Sequence, residues 1–236
     1  SKAAGDWGQI VFYDSSVDAS YDGNGDYASG SILEYCTVEY GSGVLLKLGN
    51  PFINQSTIRY HSQYGIKMDS WDSANSGATI KITNSTISYN THNTGDGGGV
   101  YLYGYGAVQI LNNVISNNNG RSGGGIQVAA NNSVKISGNT IENNVAGSYS
   151  DGGSSLNIDG TGGGISAGSS TVISNNIIKG NRALTGGGVG GGGTMSDNVI
   201  SENHARDGGG YYGYGTISNN FFLNNSASDN AGGVLI

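Results

Sequence analysis

Apolar residues recur along the chain in pairs that are five residues apart, and asparagines frame most of the pairs. The stretch from Ile136 to Asn144 is one copy, with the pattern Ile-x-x-Asn-x-Ile-x-x-Asn. We take the second apolar residue of each pair as the reference of its copy. The references are Val38, Ile58, Ile87, Ile115, Ile141, Ile178, Ile200 and Phe222, and their partners are Leu33, Ile53, Ile82, Ile110, Ile136, Ile173, Met195 and Ile217. Such repetition indicates a solenoid.

A third apolar position follows each pair, after a variable loop and a run of glycines. These residues are Val44, Ile66, Val100, Ile126, Ile165, Val189, Tyr211 and Val234. Each copy therefore contains three short apolar strands without helical periodicity. Three strands predict one triangular coil, with equivalent residues stacked in parallel strands about 4.8 Å apart. The spacing varies only in the loops before the glycine runs, and the longest loop extends from Val145 to Thr161.

Two polar rows accompany the apolar ones. Two residues before the references lie Cys36, Ser56, Ser85, Asn113, Asn139, Asn176, Asn198 and Asn220, and three after them lie Gly41, His61, Asn90, Asn118, Asn144, Asn181, Asn203 and Asn225. Stacked asparagines are expected to form amide ladders along the axis. Asparagine and glycine also tolerate the left-handed backbone of a sharp turn. Cys36 lies in an inward row, which predicts a buried free thiol.

These units resemble those of right-handed parallel β-helix repeat proteins, the pectate-lyase-like and carbohydrate-associated group, from about Trp7 to Ile236. The Gly-Gly-Gly-Val/Ile and Asn-x-Ile-x-x-Asn units also resemble those of surface adhesins. The resemblance implies an all-β fold, a single-stranded right-handed parallel β-helix of about nine coils with three parallel sheets. Its members include lyases, hydrolases, epimerases, tailspikes, adhesins and ice-binding proteins, so it leaves the activity open.

We expect one β-helix domain over residues 1–236. Residues 1–29 differ from the repeats and supply an N-terminal strand, Trp7 to Phe12, and an Asp-rich loop, whereas residues 30–236 supply eight repeat coils. The last coil stops in an apolar strand, Val234-Leu235-Ile236. Because an open strand edge pairs readily with another chain, we expect a further domain or another chain to cover it.

Composition narrows the choice of partners. The net charge is -7 and no Lys/Arg-rich run occurs, which argues against nucleic acid and anionic membrane surfaces. Apolar runs are too short for membrane insertion. The sequence opens at Ser1, so we expect a mature form or an excised piece of a longer protein, extracellular or at the cell surface.

One candidate metal site lies in the Asp-rich loop. Asp22, Asn24 and Asp26 alternate in the way that Ca²⁺ ligands do, and no other cofactor is expected. The loop departs from an EF-hand because Tyr27 replaces the glycine at its sixth position. The alternative interpretation is a solvated turn built from Asp, Asn and Gly.

Outward aromatic residues are the first candidates for ligand contact. Alternation around inward Val100 and Leu102 places tyrosines on the outer face, and equivalent positions four coils later are again tyrosines. Flat rings of this kind suit stacking on sugars, although they also suit packing on a β-surface. The candidate residues are Trp71, Tyr101, Tyr103, Tyr105, Tyr212 and Tyr214.

A charged edge offers the ingredients of catalysis. Arg182 and His204 lie four residues after their references, and Asp207 and Asp229 lie seven after theirs, so each pair should stack in adjacent coils, with Arg206 between them. Carboxylate, imidazole and guanidinium suit acid/base work on an acidic sugar. The alternative is simple charge compensation between coils.

Compensation is expected elsewhere too, between Glu39 and Arg59 and between Glu142 and Lys179. The paired-Asp and Gly-His-Gly signature of polygalacturonase-like relatives and the Arg-x-Pro-x-x-Arg of pectate lyases are both missing from the sequence. We therefore favour a non-catalytic, adhesin-like or polysaccharide-binding module with a polysaccharide or cell-surface glycan as partner. A polysaccharide lyase or glycoside hydrolase is the alternative.

An outward row rich in threonine suggests a third function. It contains Thr37, Thr57, Thr86, Val114, Thr140, Ile177, Val199 and Phe221. A flat Thr/Val face is able to order water and bind ice, but β-propensity alone also explains these residues. The bulky Phe221 interrupts the flatness at the C-terminal end.

Overall fold

The computed structural model describes residues 1–71, 79–92, 95–129, 133–150, 155–157 and 159–236. Within these residues every regular element is a β-strand, and no helix is long and apolar enough to cross a membrane. The strands are short because each coil must turn after a few residues. Three long parallel sheets therefore run the length of the stack.

Sheet 1 contains the strands that follow the glycine runs, preceded by the N-terminal strand. Its nine strands are Gln9–Tyr13, Gly43–Lys47, Ile66–Ser70, Val100–Gly104, Ile126–Val128, Ile165–Ala167, Val189–Gly191, Tyr211–Gly213 and Val234–Leu235. The N-terminal strand is thus confirmed with slightly shifted bounds. Its Ile10 and Phe12 pack against the core.

Sheets 2 and 3 contain the two strands of each apolar pair. Sheet 2 consists of Ile32–Glu34, Phe52–Asn54, Thr79–Thr83, Ala107–Leu111, Ser133–Ser137, Thr171–Ser174, Thr194–Ser196 and Thr216–Ser218. Sheet 3 consists of Thr37–Glu39, Thr57–Arg59, Thr86–Ser88, Val114–Ser116, Thr140–Glu142, Ile177–Lys179, Val199–Ser201 and Phe221–Leu223.

Shorter pairings occur at the corners and in the loops. A parallel group joins Thr91–His92, Asn119–Gly120 and Val145–Ala146, and a parallel pair joins His204–Asp207 to Ser226–Asn230. Antiparallel hairpins join Ser20–Tyr21 to Tyr27–Ser29 and Ser148–Ser150 to Ser155–Asn157. The longest predicted loop therefore contains a hairpin, although residues 151–154 and 158 lie outside the described part of the chain.

The predicted stacking register is confirmed. Reference residues pair directly from coil to coil, from Val38 with Ile58 through to Ile200 with Phe222. The inward rows are almost fully buried and form one continuous apolar core. Burial of a side chain of this size contributes roughly 1.5–3 kcal/mol, so the core is the main stabilising feature of every coil.

The left-handed backbone at the corners lies one residue before the position that was expected. Asn112 and Asn143 have φ values of 57° and 55°, whereas the ladder residues Asn113 and Asn144 do not have positive φ. The corner side chains are exposed, while the ladder side chains are buried. A ladder amide must point inward to reach the next coil, so the neighbouring residue makes the turn.

Cys36 differs from its prediction. It is half-buried rather than buried, because its coil lies near the N-terminal end of sheets 2 and 3. Its Sγ donates to the Glu34 carbonyl oxygen at 3.1 Å. The half-buried Ile217 and Phe222 similarly mark the last coil at the other end.

Candidate functional site

Two asparagine ladders hold the coils in register and so determine where every outward side chain lies. In each ladder the Nδ2 of one asparagine donates to the Oδ1 of the next, at 2.8–3.1 Å. Each Oδ1 also accepts the backbone N–H of the preceding ladder residue, as Asn144 does from Asn118. The predicted ladders are confirmed, and they form a rigid frame for the surface.

An aromatic patch, which we define as Trp71, Tyr101, Tyr103 and Tyr105, lies on the outer face of sheet 1. The rings of Trp71 and Tyr103 meet edge to face with centroids 4.2 Å apart, and the Tyr101 centroid lies 6.0 Å from that of Tyr103. Trp71 is 66% exposed and Tyr105 is 38% exposed. Trp71, from the loop after its strand, is therefore in direct contact with the predicted tyrosine row.

Charged and polar groups border the aromatic patch. Lys67 Nζ lies 5.6 Å from the Tyr101 ring centroid and 3.4 Å from Asp69 Oδ2. Burial is the main cause that raises the pKa of Tyr101, so its hydroxyl stays neutral. Asp69 Oδ1 and Gln127 Oε1 are buried without a hydrogen-bond partner among the described residues. The surroundings of the rings thus include two acceptor oxygens that the described part of the chain leaves unbonded.

The second group of tyrosines lies apart from the first. Along sheet 1, Tyr101 pairs with Gln127, and the row continues through Ser166 and Gly190 before it reaches Tyr212. Tyr212 and Tyr214 instead line a concavity of about 290 Å³ with Gly213, Leu235 and Ile236. The structure therefore does not combine the two groups into one aromatic surface.

The charged edge agrees with the prediction only in part. Arg182 and His204 pair in adjacent coils as expected. Asp207 and Asp229 do not, because the register shifts by one residue and Asp207 pairs with Asn230 instead. The predicted stacking of the two aspartates is wrong since the last coil contains an extra residue at this point.

The carboxylates of the charged edge are already bound. Arg206 Nε lies 2.8 Å from Asp207 Oδ2 and 3.6 Å from Asp229 Oδ2. The hydrogen bond from Asn230, followed by that from Arg206, holds the pKa of Asp207 below its ordinary value. His204 Nδ1 lies 2.9 Å from Ser226 Oγ. Asp207 is thus suited to charge compensation, and a carboxyl with a lowered pKa is a poor general acid.

Compensation also occurs between other coils. Glu39 forms ion pairs with Arg59 at 2.9 Å and with Lys2 at 2.8 Å. Lys179 stands beside Glu142 in the strand register, but its Nζ forms its ion pair with Glu202 at 3.4 Å. Exposed pairs of this kind typically contribute under about 1 kcal/mol, so their main effect is on surface charge.

The Asp-rich segment forms a hairpin whose turn is organised by Asp22. Its Oδ1 accepts the backbone N–H groups of Asn24 and Asp26, both at 2.9 Å. Among the described residues, no three His, Cys, Asp or Glu side chains converge as metal ligands do. Calcium binding by Asp22, Asn24 and Asp26 stays a prediction, and the hydrogen bonds fit the turn interpretation.

A cleft that the sequence did not reveal lies between this hairpin and the outer face of sheet 2. Its volume is about 320 Å³, and its lining consists of Gly25, Asp26, Tyr27, Phe52, Asn54, Lys81, Thr83, Asn84, Leu111 and Asn112. The available signal was Phe52, an aromatic residue at an outward position next to inward Ile53. Tyr21 and Tyr27 of the hairpin were the aromatic residues that could pack on Phe52.

The threonine-rich row lies on the outer face of sheet 3 as predicted. Successive members pair directly, from Thr37 with Thr57 to Val199 with Phe221. Exposed Ile177 and Phe221 replace threonine toward the C-terminal end. The face is therefore uniform only in its first coils.

Comparison with models of protein families gives a match. A family model described as a right handed beta helix region matches residues 8–162. Searches of curated proteins and of solved structures give no match.

Proposed function

Because the chain belongs to the right handed beta helix family, we propose that it is a non-catalytic, extracellular or cell-surface module that binds polysaccharide through the aromatic patch. The observation that carries this proposal is the contact of Trp71 with Tyr103, which leaves a large indole exposed on a rigid sheet. An exposed aromatic pair held by its neighbours loses little conformational entropy on binding.

The polar border gives the aromatic patch a preference for hydroxylated ligands. Among the described residues Asp69 Oδ1 and Gln127 Oε1 have no hydrogen-bond partner, and a buried unsatisfied polar atom costs about 1–3 kcal/mol. A small shift of the tyrosine rings would let sugar hydroxyls donate to these oxygens. Aliphatic ligands offer no such donors, so the patch favours a polysaccharide over a lipid.

The lyase or hydrolase alternative has weaker support. Its candidate base, Asp207, is bound by Arg206 and Asn230, and His204 is bound by Ser226. These bonds offset the charges of the edge within the protein itself. Arg182 next to His204 is the one arrangement there that resembles a site for an acidic sugar.

The test is binding of the intact protein to a panel of polysaccharides on a glycan array, followed by affinity electrophoresis. Trp71→Ala and Tyr103→Ala should each weaken binding roughly tenfold, which corresponds to about 1.4 kcal/mol. Tyr103→Phe keeps the ring and should bind like the wild type. Tyr13→Ala removes another exposed tyrosine, 53% exposed and outside the aromatic patch, and should have no effect.

The same samples discriminate binding from catalysis. Reducing ends and unsaturated ends are measured after incubation with each polysaccharide, with and without Ca²⁺. Binding without release of ends supports the proposal. Release of ends that disappears in Asp207→Asn would overturn the proposal and indicate an enzyme. Polysaccharide binding that is unchanged in Trp71→Ala and Tyr103→Ala would also overturn it and indicate that another surface binds.

A further inference from the structure

The cleft under the N-terminal hairpin is preformed, because aromatic contacts fix the hairpin to sheet 2. The Tyr27 ring stacks on Phe52 with centroids 5.6 Å apart, and Tyr21 meets Phe52 edge to face at 5.8 Å. Lys81 Nζ donates to the Gly25 carbonyl oxygen and lies 3.9 Å from the Tyr21 ring centroid. A ligand entering this cleft would not have to order the hairpin first.

One wall of the cleft is a connected polar network. Asn54 Oδ1 accepts from Thr83 Oγ1 at 2.7 Å and from Asn84 Nδ2 at 3.0 Å, while Asn54 Nδ2 donates to Glu34 at 2.6 Å. The network orients the Asn84 amide, whose Oδ1 remains able to accept. It therefore presents hydrogen-bonding atoms of fixed direction opposite the aromatic wall.

Asn112 completes the polar wall at the next corner. Its side chain is exposed and its backbone has φ of 57°. An amide supplies both a donor and an acceptor, which matches the two roles of a sugar hydroxyl. Together with Asn84 it lines the cleft with two amides on successive coils.

The charges of the cleft select against an ionic ligand. Lys81 contributes one positive charge and Asp26 one negative charge, and the whole chain carries -7. The two charges offset each other, so the cleft has no excess of either sign that would attract an ion, and the net negative charge of the chain disfavours an anion. A neutral ligand needs no charged partner and can form hydrogen bonds to both side chains.

We propose that this cleft is a second saccharide site, separate from the aromatic patch, that binds one or two neutral sugar residues by packing against the stacked pair of Tyr27 and Phe52 and by hydrogen bonding to Asn84 and Asn112. Its volume is at the lower limit of about 300–1,000 Å³ for small-molecule sites, which suits a chain end or side branch. The site lies on sheet 2, whereas the aromatic patch lies on sheet 1, so it does not depend on the proposed function.

The principal test is calorimetric titration of the full chain with neutral disaccharides of glucose, mannose, galactose, xylose and N-acetylglucosamine, with digalacturonate as the acidic probe. Asn112→Gly removes the amide at a position where glycine adopts positive φ without strain. We expect it to weaken binding of the preferred disaccharide at least tenfold. Asn175→Gly is the matched control, since Asn175 has φ of 57° on the same corner row, outside the cleft, and should not change affinity.

A second pair of variants tests the aromatic wall. Tyr27→Leu should abolish measurable binding, and Tyr27→Phe, which loses only the hydroxyl that donates to Gly30 O, should retain it within about threefold. Circular dichroism and unfolding curves show whether the variants stay folded. Trp71→Ala should leave disaccharide binding intact. If this variant loses only polysaccharide binding, the loss is assigned to the aromatic patch and not to the cleft.

Three results would overturn the proposal. The first is that no neutral disaccharide binds at millimolar concentration, and the second is that Asn112→Gly and Asn175→Gly bind equally. The third is that digalacturonate binds more tightly than every neutral probe. If the protein binds a neutral disaccharide but none of the polysaccharides in the panel, the result would support this site and contradict the proposed function.

Discussion

The two halves of the stack hold their coils together by different means. In the C-terminal half, which we take as residues 107–236, both polar rows consist of asparagines. Asn144, for example, accepts from the backbone and side chain of Asn118 and donates to Ile115 O and Asn181. In the N-terminal half, residues 1–92, Cys36, Ser56 and Ser85 replace one row, and Gly41 and His61 begin the other.

The exposed corners differ in the same way. In the N-terminal half Tyr40, Tyr60 and Tyr89 stack with ring centroids 5.3 and 5.2 Å apart, all with positive φ. Asn117 and Asn143 occupy the same corner in the C-terminal half. The identical ladders of the C-terminal half give order, and the charged groups of that half lie outside the ladders, as Arg206, Asp207 and Asp229 do. The substitutions of the N-terminal half leave rings and charges outside, and both proposed sites lie at or next to these coils.

The largest expected effect comes from breaking one ladder in each half. Asn144→Ala leaves the buried backbone N–H of Asn118 without a partner and also removes the side-chain bonds of Asn144 to Asn118, Ile115 O and Asn181, which should cost about 3–5 kcal/mol. Ser85→Ala removes its bonds with Ser56 N and Thr83 O and should cost about 1–2 kcal/mol. Guanidinium unfolding gives the total loss.

Hydrogen exchange locates this loss, because the stability of a solenoid is roughly a sum over coils and their interfaces. Asn144→Ala should increase exchange most at the Asn118 amide. Equal losses for the two variants would contradict the difference between the halves. In that case the asparagine ladder would stabilise the stack no more than the serine row does.

A smaller effect is expected from exchanging corner residues. Tyr60→Asn gives the N-terminal corner the residue that the C-terminal half uses, without backbone strain, since asparagine tolerates positive φ. It removes two ring stackings of about 0.5–1.5 kcal/mol each, so a loss of about 1–3 kcal/mol should appear in thermal unfolding. Asn117→Gly at the same corner removes no stacking and should change stability by less than about 0.5 kcal/mol. Equal losses of stability in the two variants would show that the tyrosine stack does not stabilise the fold.

The regular half was predictable from the sequence, and the irregular half much less so. Inward rows and ladders follow from side-chain direction, since a coil of three strands leaves one register that directs every reference from Val38 to Phe222 toward the core. The predicted stacking of Asp229 on Asp207 was wrong because the equal spacing between reference residues did not reveal an extra residue in the last coil. That residue is visible afterwards, as Val234 follows Phe222 by 12 residues while Tyr211 follows Ile200 by 11.

The cleft was not predictable for a different reason. Its walls come from a hairpin and from three coils of sheet 2, and the stacking of Tyr27 on Phe52 is a tertiary contact that no repeat specifies. Periodicity describes residues that obey the pattern, whereas a binding site is formed by residues that depart from it. The aromatic row and Trp71 could be proposed because alternation within one strand determines the outward face.

The last comparison concerns the one ladder position that titrates. His61 is fully buried, its Nδ1 accepts the Gly41 N–H at 3.1 Å, and burial is the main cause that lowers its pKa. Because the folded state disfavours the proton, His61 contributes stability that is present above about pH 6.5, the ordinary histidine pKa, and is lost as pH falls through its lowered value. Protonation of Nδ1 would also remove the acceptor of Gly41.

His61→Asn should remove this part of the pH dependence, since asparagine does not titrate and already serves at the equivalent position of the next coil, Asn90. Stability measured from pH 8 to pH 5 should fall less in the variant than in the wild type. The carboxyls of Glu39 and Asp207 have lowered pKa values, so their contributions are lost at lower pH and in both proteins alike. Parallel curves between pH 8 and pH 5 would contradict the prediction and would mean that the first coils accept a charged imidazole as readily as a neutral one.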